Sequence, residues 1–409
     1  MKSISNVIQF YATYYPIIMT VVWITGAWLF DVRSKFMISK SVAIRAPKVT
    51  ILLSMYNEEH TIVETLNSFL KVNYSNYDVV LVDDKSEDNT ISIVQDWMDN
   101  EKNKQSRTNI KLIKLTRNLG KAQALNQAMQ QINSEFVLVT DADSILAPNA
   151  ILELLSRFDN ERVGAVTGKP VVRNRTTLLG RLQTLEYMGI IDHIKRAQDT
   201  LYGGIMTVAG VIVLYRRNAL LEVNGFDPLA ITEDIDITWR LRRKQWLVQY
   251  TPHALVYILV PETLKGYLRQ RTRWSTGGLE VLFKNLKWVL HSKSLNQKML
   301  LIDMCLGHIW AWLAVITMVQ YIAVAITART FSLPGVILLI NIVLFTAMLL
   351  QGLTQDKQKS KINWYDMLGL PVYSTFYWAI ALVTALISQI IVGMFHKQRG
   401  SWTSPDRGR

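Results

Sequence analysis

The sequence predicts a mostly parallel, doubly wound α/β domain inserted between transmembrane helices, in an integral membrane protein with about four spans. Three observations predict it. Strand-like apolar runs alternate with helix-like segments from residue 49 to residue 143, the order that builds a parallel sheet with helices on its faces. Nearly uncharged runs of spanning length lie on both sides of that region,. Three of the strand-like runs end in polar or acidic residues, Tyr56-Asn-Glu-Glu59, Asp83-Asp84 and Asp141/Asp143, at what should be one edge of the sheet. In an open α/β sheet that edge is where ligands bind.

Composition agrees. The 409-residue chain is half hydrophobic and carries a formal net charge of +13, too apolar for an ordinary soluble enzyme and long enough for one large domain plus spans. A basic balance suits nucleic acid or the cytoplasmic membrane surface. The apolar runs favour the membrane, because Lys and Arg collect beside spans on the cytoplasmic side, and no nucleic-acid partner is expected. A single cysteine, Cys305, excludes an intrachain disulfide framework,. The six histidines show no zinc-ligand spacing,. The first apolar run is too long for a cleavable signal peptide, and no small-residue cleavage site follows it.

In order, Phe10–Phe30 predicts the first span, with Tyr11, Tyr14, Tyr15, Trp23 and Trp28 toward its ends as aromatic belts,. Arg33, Lys35, Lys40, Arg45 and Lys48 follow it, against Lys2 alone before it. The positive-inside rule then puts the N-terminus outside and the next domain in the cytoplasm. Val49–Met55, Tyr77–Asp84, Ile110–Leu115 and Phe136–Asp143 predict strands. Glu58–Leu70, a segment capped near Asp88-Asn-Thr90 and running to about Asn100, and Leu119–Gln131 predict the helices between and after them,. Arg162–Gly168 and Thr207–Tyr215 read as further strands, with a helix over Leu178–Gln198, and Leu247–Leu259 as an extended segment. From Leu264 to about His291, basic residues interleave with Leu268, Trp274, Leu279 and Phe283, the pattern of a helix lying at a membrane surface. Apolar runs over 304–327, 333–350 and 371–395 predict three more spans,. The loop Gln355–Asp366 carries Lys357, Lys359 and Lys361 and is placed inside. Strict alternation then puts the C-terminus outside, whereas the basic His396–Arg399 and the tail to Arg409 argue for inside; a re-entrant last segment would reconcile the two. The division expected is 1–32, first helix; 33–262, catalytic domain; 263–295, interface helix; 296–396, remaining spans; 397–409, basic tail.

Two acids spaced one apart at a strand end, Asp141 and Asp143, suit a divalent cation carried by a diphosphate, since a hard ion takes oxygen ligands and needs only one or two from protein. Taken alone the pair reads equally as a surface turn. Asp84 suits hydrogen bonds from a ribose or uracil; a solvated turn with Ser86 and Asp88 is the alternative. Lys121 sits near a helix start, where an ammonium and helical N–H groups would meet a phosphate, though most such lysines are simply at the surface. Asp234, in Thr232-Glu233-Asp234, is a candidate base for an attacking hydroxyl and also suits a helix cap. Gln270 and Arg273 share one helical face. The Arg could hold diphosphate oxygens bidentately and Trp274 could stack on a sugar; a basic interfacial helix with an anchoring Trp fits as well. No P-loop and no Gly-x-Ser-x-Gly elbow is present,. One base and no nucleophile–base pair fit a single, inverting displacement at a sugar's anomeric carbon.

Asp84, Asp141-Ala-Asp143, Thr232-Glu-Asp234 and Gln270-Arg-Thr-Arg-Trp274 stand in the order and rough spacing of the processive family-2 glycosyltransferases, which the chain resembles over nearly its whole length. That family includes cellulose, chitin, hyaluronan and poly-N-acetylglucosamine synthases. Thr167-Gly-Lys-Pro-Val-Val-Arg-Asn174, Glu186-Tyr187, Ile231–Ile235, Val260-Pro-Glu-Thr-Leu264, Gly277-Gly278-x-Glu280-Val281 and Ser401–Gly408 resemble the poly-β-1,6-N-acetylglucosamine branch. The resemblance implies a GT-A (nucleotide-diphospho-sugar transferase) domain on the cytoplasmic face of a bacterial cell membrane. It implies UDP-GlcNAc as donor, Mg2+ or Mn2+, and a growing poly-GlcNAc chain that leaves through the spans as biofilm exopolysaccharide. By position, Tyr56, Glu58, Asp84 and Lys121 meet the uridine or its phosphates, Asp141 the nucleotide and Asp143 the metal. Asp234, with Glu233 beside it, activates the 6-hydroxyl of the chain end, and Gln270, Arg273 and Trp274 hold the diphosphate and the acceptor sugar. Membrane lipid and a small membrane accessory subunit are the implied partners. Two departures stand out: one span precedes the catalytic domain where some members have two, and no regulatory domain is appended, so control by a cyclic dinucleotide would need another subunit. A hyaluronan- or chitin-type synthase, a transferase adding one sugar to a lipid phosphate, and a scaffold with an inactive sugar-binding domain are the other readings. Intact Asp143 and Asp234 speak against the last.

Overall fold

The computed structural model describes residues 2–37, 46–103, 109–329, 335–360, 362 and 370–394. Lys40, Arg45, Lys361 and the basic stretch from His396 to Arg409, with its Ser401–Gly408 motif, lie outside the described residues. The helices are α1 (Lys2–Met37), α2 (Ile62–Phe69), α3 (Thr90–Asn103), α4 (Lys121–Met129), α5 (Ala150–Leu155), α6 (Leu178–Glu186), α7 (Asp192–Leu201), α8 (Arg217–Glu222), α9 (Glu233–Arg243), α10 (Leu264–His291), α11 (Leu295–Ala328), α12 (Gly335–Ser360) and α13 (Leu370–Met394). The strands are β1 (Val49–Met55), β2 (Tyr77–Asp83), β3 (Asn109–Lys114), β4 (Phe136–Asp141), β5 (Ile145–Leu146), β6 (Val163–Val172), β7 (Ile212–Arg216) and β8 (Leu247–Ile258). These elements form two units. A sheet unit contains Lys35–Arg175 and Gly204–Glu262; a helical unit contains Met1–Ser34, Thr176–Gly203 and Thr263–Lys397.

In the sheet unit, one eight-stranded sheet runs in the order β3-β2-β1-β4-β7-β6-β8-β5. Its first four strands are parallel, as the alternation of strands and helices requires,. β7 is antiparallel to both neighbours, and β8 is parallel to β6. β1, β2 and β4 are buried at almost every position, because a parallel strand is covered on both faces. Ala124, Leu125 and Met129 of α4 share one core with Leu52, Val80 and Val139, each large side chain contributing roughly 1.5–3 kcal/mol. β3 is the edge, and Lys111 and Lys114 stand exposed on it, which discourages pairing with another chain. The register sets Met55 opposite Asp83, Ser54 opposite Asp141 and Asp83 opposite Lys114. The carboxyl ends of the parallel strands are therefore level.

Two strands differ from expectation. β6 continues to Val172 rather than stopping near Gly168. The pairing with β8 shifts between Thr167 and Lys169, and a Cβ on Gly168 would lie 2.3 Å from the carbonyl oxygen of Ala254. Only glycine permits that approach, and the irregularity lets the strand carry Pro170. β7 begins at Ile212 rather than Thr207, because side chains take several of the N–H groups that the preceding residues would have given to a ladder.

In the helical unit, among the described residues, four helices are long and apolar enough to cross a membrane: Ile4–Ser34, Leu295–Ala328, Leu339–Asp356 and Phe376–Gly393. They coincide with the four apolar runs, and the chain is a membrane protein. Pro16 lies inside α1 and has no N–H to give the carbonyl of Ala12. Trp310 of α11 supplies that bond, Nε1 donating to Ala12 O at 3.0 Å. α12 runs on to Ser360, through the first residues of the expected Gln355–Asp366 loop; no Pro or Gly stops it there, and Lys, Gln and Asp continue a helix once it leaves apolar surroundings. Thr176–Gly203 groups with these helices, a division the sequence reading does not draw. Leu182, Leu185 and Met188 share a core with Trp23, Trp310 and Phe345. The expected single helix over Leu178–Gln198 is α6 and α7 joined by a π-helical turn, Tyr187–Ile191.

Candidate active site

The turn after β1 is tied to the turn after β2. Asn57 takes a left-handed conformation (φ 56°), which Asn tolerates. Its N–H donates to Ser86 Oγ at 3.1 Å, and its Oδ1 accepts from the Glu87 N–H at 2.8 Å. Glu58 is buried; its N–H donates to Thr90 Oγ1 at 2.7 Å and its Oε2 accepts from the Thr61 hydroxyl at 2.8 Å. Tyr56 is half-buried beside it. After β2, Asp83 accepts from the Ser86 N–H with both oxygens, while Asp84 accepts from the N–H groups of Leu119 at 2.7 Å and Gly120 at 2.8 Å. Gly120 has φ 83°, a conformation open to glycine, and its backbone opens α4,. Burial pushes the Asp84 carboxyl up, the two backbone donors work against that, and Asp83 adds a further upward push; the net shift is upward.

Lys121, the first residue of α4, is the hinge of the site. Its Nζ lies 2.7 Å from Asp141 Oδ1, at the end of β4, and 2.8 Å from Glu233 Oε1, at the start of α9. Burial works against its charge, but the two carboxylates more than offset that and hold its pKa above the ordinary lysine value. The ammonium expected to face a phosphate is thus a clamp between two acids.

Asp234 lies in the first turn of α9, where three acidic residues suit the positive end of the helix dipole,. Its Oδ1 accepts from the Ile235 N–H at 2.9 Å and its Oδ2 from the Gly210 N–H at 3.3 Å. Gly210 belongs to the segment before β7, which side chains pin. The Val208 N–H donates to Thr238 Oγ1 at 3.1 Å and the Ala209 N–H to Thr167 Oγ1 at 2.9 Å. Thr140 Oγ1 donates to Val211 O at 2.9 Å. Sequence reasoning missed Gly210, Thr167 and Thr238: Thr167 opens the Thr167–Asn174 motif, but Gly210 lies inside the stretch read as a strand and Thr238 carries no signal of its own.

Asp143 lies just past β4, half-buried, with the Ser144 hydroxyl 3.5 Å from Oδ1. No cluster of three or more ligating side chains occurs among the described residues. The donor set fits a cation shared with a diphosphate. Asp141 and Glu233 set two carboxylates against the one ammonium of Lys121, so a diphosphate beside them is favoured by a cation.

Gln270, Arg273 and Trp274 lie on α10, in the helical unit. Arg273 is exposed, Trp274 half-buried, and Gln270 Oε1 accepts from Arg271 Nη1 at 3.2 Å. The sheet unit brings together Lys121, Asp141, Glu233 and Asp234, and the turns after β1 and β2 are laced together around Glu58.

The family described as "Glycosyltransferase like family 2" matches residues 47–277. A poly-beta-1,6-N-acetyl-D-glucosamine synthase of Staphylococcus epidermidis is 32% identical over 415 residues, 97% of each chain. A protein of the same name from Staphylococcus aureus (strain COL) is 31% identical over 413 residues, again 97% of each. Among solved structures, a mannosyltransferase from Pyrobaculum calidifontis in complex with GDP-Man and Mn2+ aligns with a TM-score of 0.62 at 20% identity, covering 96% of this chain and 100% of that one; this is a likeness of fold.

Proposed function

The chain belongs to glycosyltransferase family 2, and from that premise we propose that it is an inverting, processive N-acetylglucosaminyltransferase. It polymerises UDP-GlcNAc into β-1,6-linked poly-N-acetylglucosamine from the cytoplasmic face of the bacterial cell membrane. The sugar and linkage rest on the full-length likeness to synthases of that name. The reaction rests on one observation: Asp234 is a carboxylate oriented by two backbone N–H groups, next to Glu233, which Lys121 holds.

Asp234 takes the proton of the chain end's 6-hydroxyl. That oxygen forms a bond to C1 of the donor GlcNAc as the bond from C1 to the diphosphate breaks; UDP leaves with the electron pair and the configuration at C1 inverts. Glu233 and Asp141 keep the start of α9 and the end of β4 in fixed relation through Lys121, which preorganises the base. Tyr56, Glu58, Asp84 and Asp141 serve the uridine end, Glu58 chiefly by shaping its turn. Asp143 would hold Mg2+ or Mn2+ together with the diphosphate, and the cation would offset the charge developing on the leaving group. Gln270, Arg273 and Trp274 serve the diphosphate and the acceptor sugar. The polymer leaves through the membrane helices, with a small membrane accessory subunit as partner.

Membranes bearing the protein, given radiolabelled UDP-sugars one at a time, test this reading. UDP-GlcNAc alone should give a polymer cut by a hydrolase specific for β-1,6-linked GlcNAc. A polymer cut only by chitinase, or one that forms only when UDP-glucuronate is added, would overturn it.

A further inference from the structure

Glu186-Tyr187 is a motif to which this reaction assigns no part. In the helical unit it ends α6 and opens the π-helical turn. The Glu186 side chain is 5% exposed, and its Oε2 accepts from Arg271 Nη2 at 2.8 Å and from the Tyr267 hydroxyl at 3.1 Å. The Arg271 side chain is 8% exposed. Its guanidinium carbon lies 4.0 Å from the centroid of the Trp274 ring, 4.8 Å from that of Tyr267 and 5.8 Å from that of Tyr187. The same guanidinium donates to Gln270 Oε1 at 3.2 Å. One buried cation therefore touches two of the three residues that define the Gln-x-x-Arg-Trp motif.

Stability alone does not call for this arrangement, since well-packed apolar residues usually replace a buried ion pair at no loss. What arginine adds is a plane. A guanidinium stacks on an indole and fixes its tilt, and a carboxylate behind it fixes the guanidinium; a lysine would keep the charge and lose the plane. Trp274 meanwhile stays half-buried, with surface left for a ligand.

We infer that Glu186 and Arg271 are positioning residues for the acceptor sugar: the Glu186–Arg271 pair sets the plane of the Trp274 ring on which that sugar stacks. The inference rests on the role proposed above for Trp274. Arg271→Ala would leave Glu186 buried without its partner and could unfold the unit, so the test uses Arg271→Lys and Glu186→Gln in the full-length protein. Donor and acceptor kinetics are measured separately, with UDP-GlcNAc and a short β-1,6-linked GlcNAc oligosaccharide. Arg271→Lys should raise KM for the oligosaccharide by about three- to thirtyfold, the range of a cation–π contact, and leave KM for UDP-GlcNAc unchanged. Glu186→Gln should act in the same direction and less. In a Trp274→Ala background, which itself raises the oligosaccharide KM, Arg271→Lys should add nothing further. An unchanged oligosaccharide KM in Arg271→Lys, or the same rise with Trp274 absent, overturns the inference and leaves Trp274's role standing. An unchanged KM in Trp274→Ala removes the role of Trp274 and the inference with it, without touching Asp234.

Discussion

Lys121 and Arg271, one cation from each unit, are held in opposite ways. Lys121, in the sheet unit, is a compact charge with one carboxylate at 2.7 Å and another at 2.8 Å. Arg271, in the helical unit, has one carboxylate and three aromatic rings. The lysine site carries surplus negative charge and is strung between the ends of separate elements, so it holds positions and invites a cation. The arginine site is electrically balanced and fixes planes. A nucleotide diphosphate is recognised through charge and a sugar ring through a flat apolar face, and the roles proposed for the two sites divide along that line.

The largest effect should come from a change that touches neither cation. Asp234→Asn keeps the shape of the first turn of α9 and removes the base. Polymer synthesis should fall by roughly 10²–10⁴-fold, while UDP binding, followed by titration calorimetry, stays as in the native protein. Normal polymer from that variant would end the role of Asp234 as base. Lys121→Met comes next. It leaves Asp141 and Glu233 facing each other without their shared partner, and because both are largely shielded from water the loss should exceed the roughly 1 kcal/mol of an exposed pair. Denaturant unfolding of the protein in detergent should show the loss. Arg271→Lys, which keeps its ion pair, should show little of it; equal losses would erase the distinction between clamp and plane.

Asp143→Ala sharpens the charge side of the comparison. With Mn2+ or Mg2+ present, affinity for UDP-GlcNAc should drop by at least the roughly 10–100-fold seen for outer-shell partners of a metal; in chelator the two proteins should bind alike. Affinity unchanged with and without metal would remove Asp143 from the cation's ligands.

Much of this was legible in the sequence, for identifiable reasons. β1, β2 and β4 show as uninterrupted apolar runs because both faces of a parallel strand are covered, and Asp84, Asp141 and Asp143 show because acids follow those runs directly. The four long helices show because length and apolarity are local properties. What did not show depends on partners distant in sequence. Lys121 looks the same whether its ammonium meets a phosphate or Glu233. Residues 207–211 carry strand-like chemistry, yet the N–H groups of Val208, Ala209 and Gly210 go to Thr238, Thr167 and Asp234. Residues 178–201 have helical periodicity whichever core they join. Arg271 stands between the letters by which its motif is read, so only its geometry against Trp274 reveals it.

The last effect separates the units by pH. Burial raises the Asp84 carboxyl, partly countered by the Leu119 and Gly120 N–H groups and reinforced by Asp83. It therefore takes up a proton at a pH above the roughly 3.9 of a free Asp. Between the unfolded and the raised folded value the native state binds more protons than the unfolded chain, so this group's contribution to stability falls as pH rises through that window and is unfavourable above it. Nucleotide binding runs the other way, because only the carboxylate form accepts freely from a uracil N–H or a ribose hydroxyl. Titrated with UDP in chelator from neutral pH downward, the native protein should lose affinity before the ordinary carboxylate range is reached, by about the 1.5–3 kcal/mol of a charged hydrogen bond. Asp84→Asn should start weaker and lack that limb. Arg271 offers the control: burial works against its charge, Glu186 more than offsets this, and its pKa stands well above the ordinary arginine value. Acceptor KM should then show no matching limb over the same pH range. Parallel curves for the native protein and Asp84→Asn would mean that Asp84 serves the Leu119–Gly120 turn and not the nucleotide.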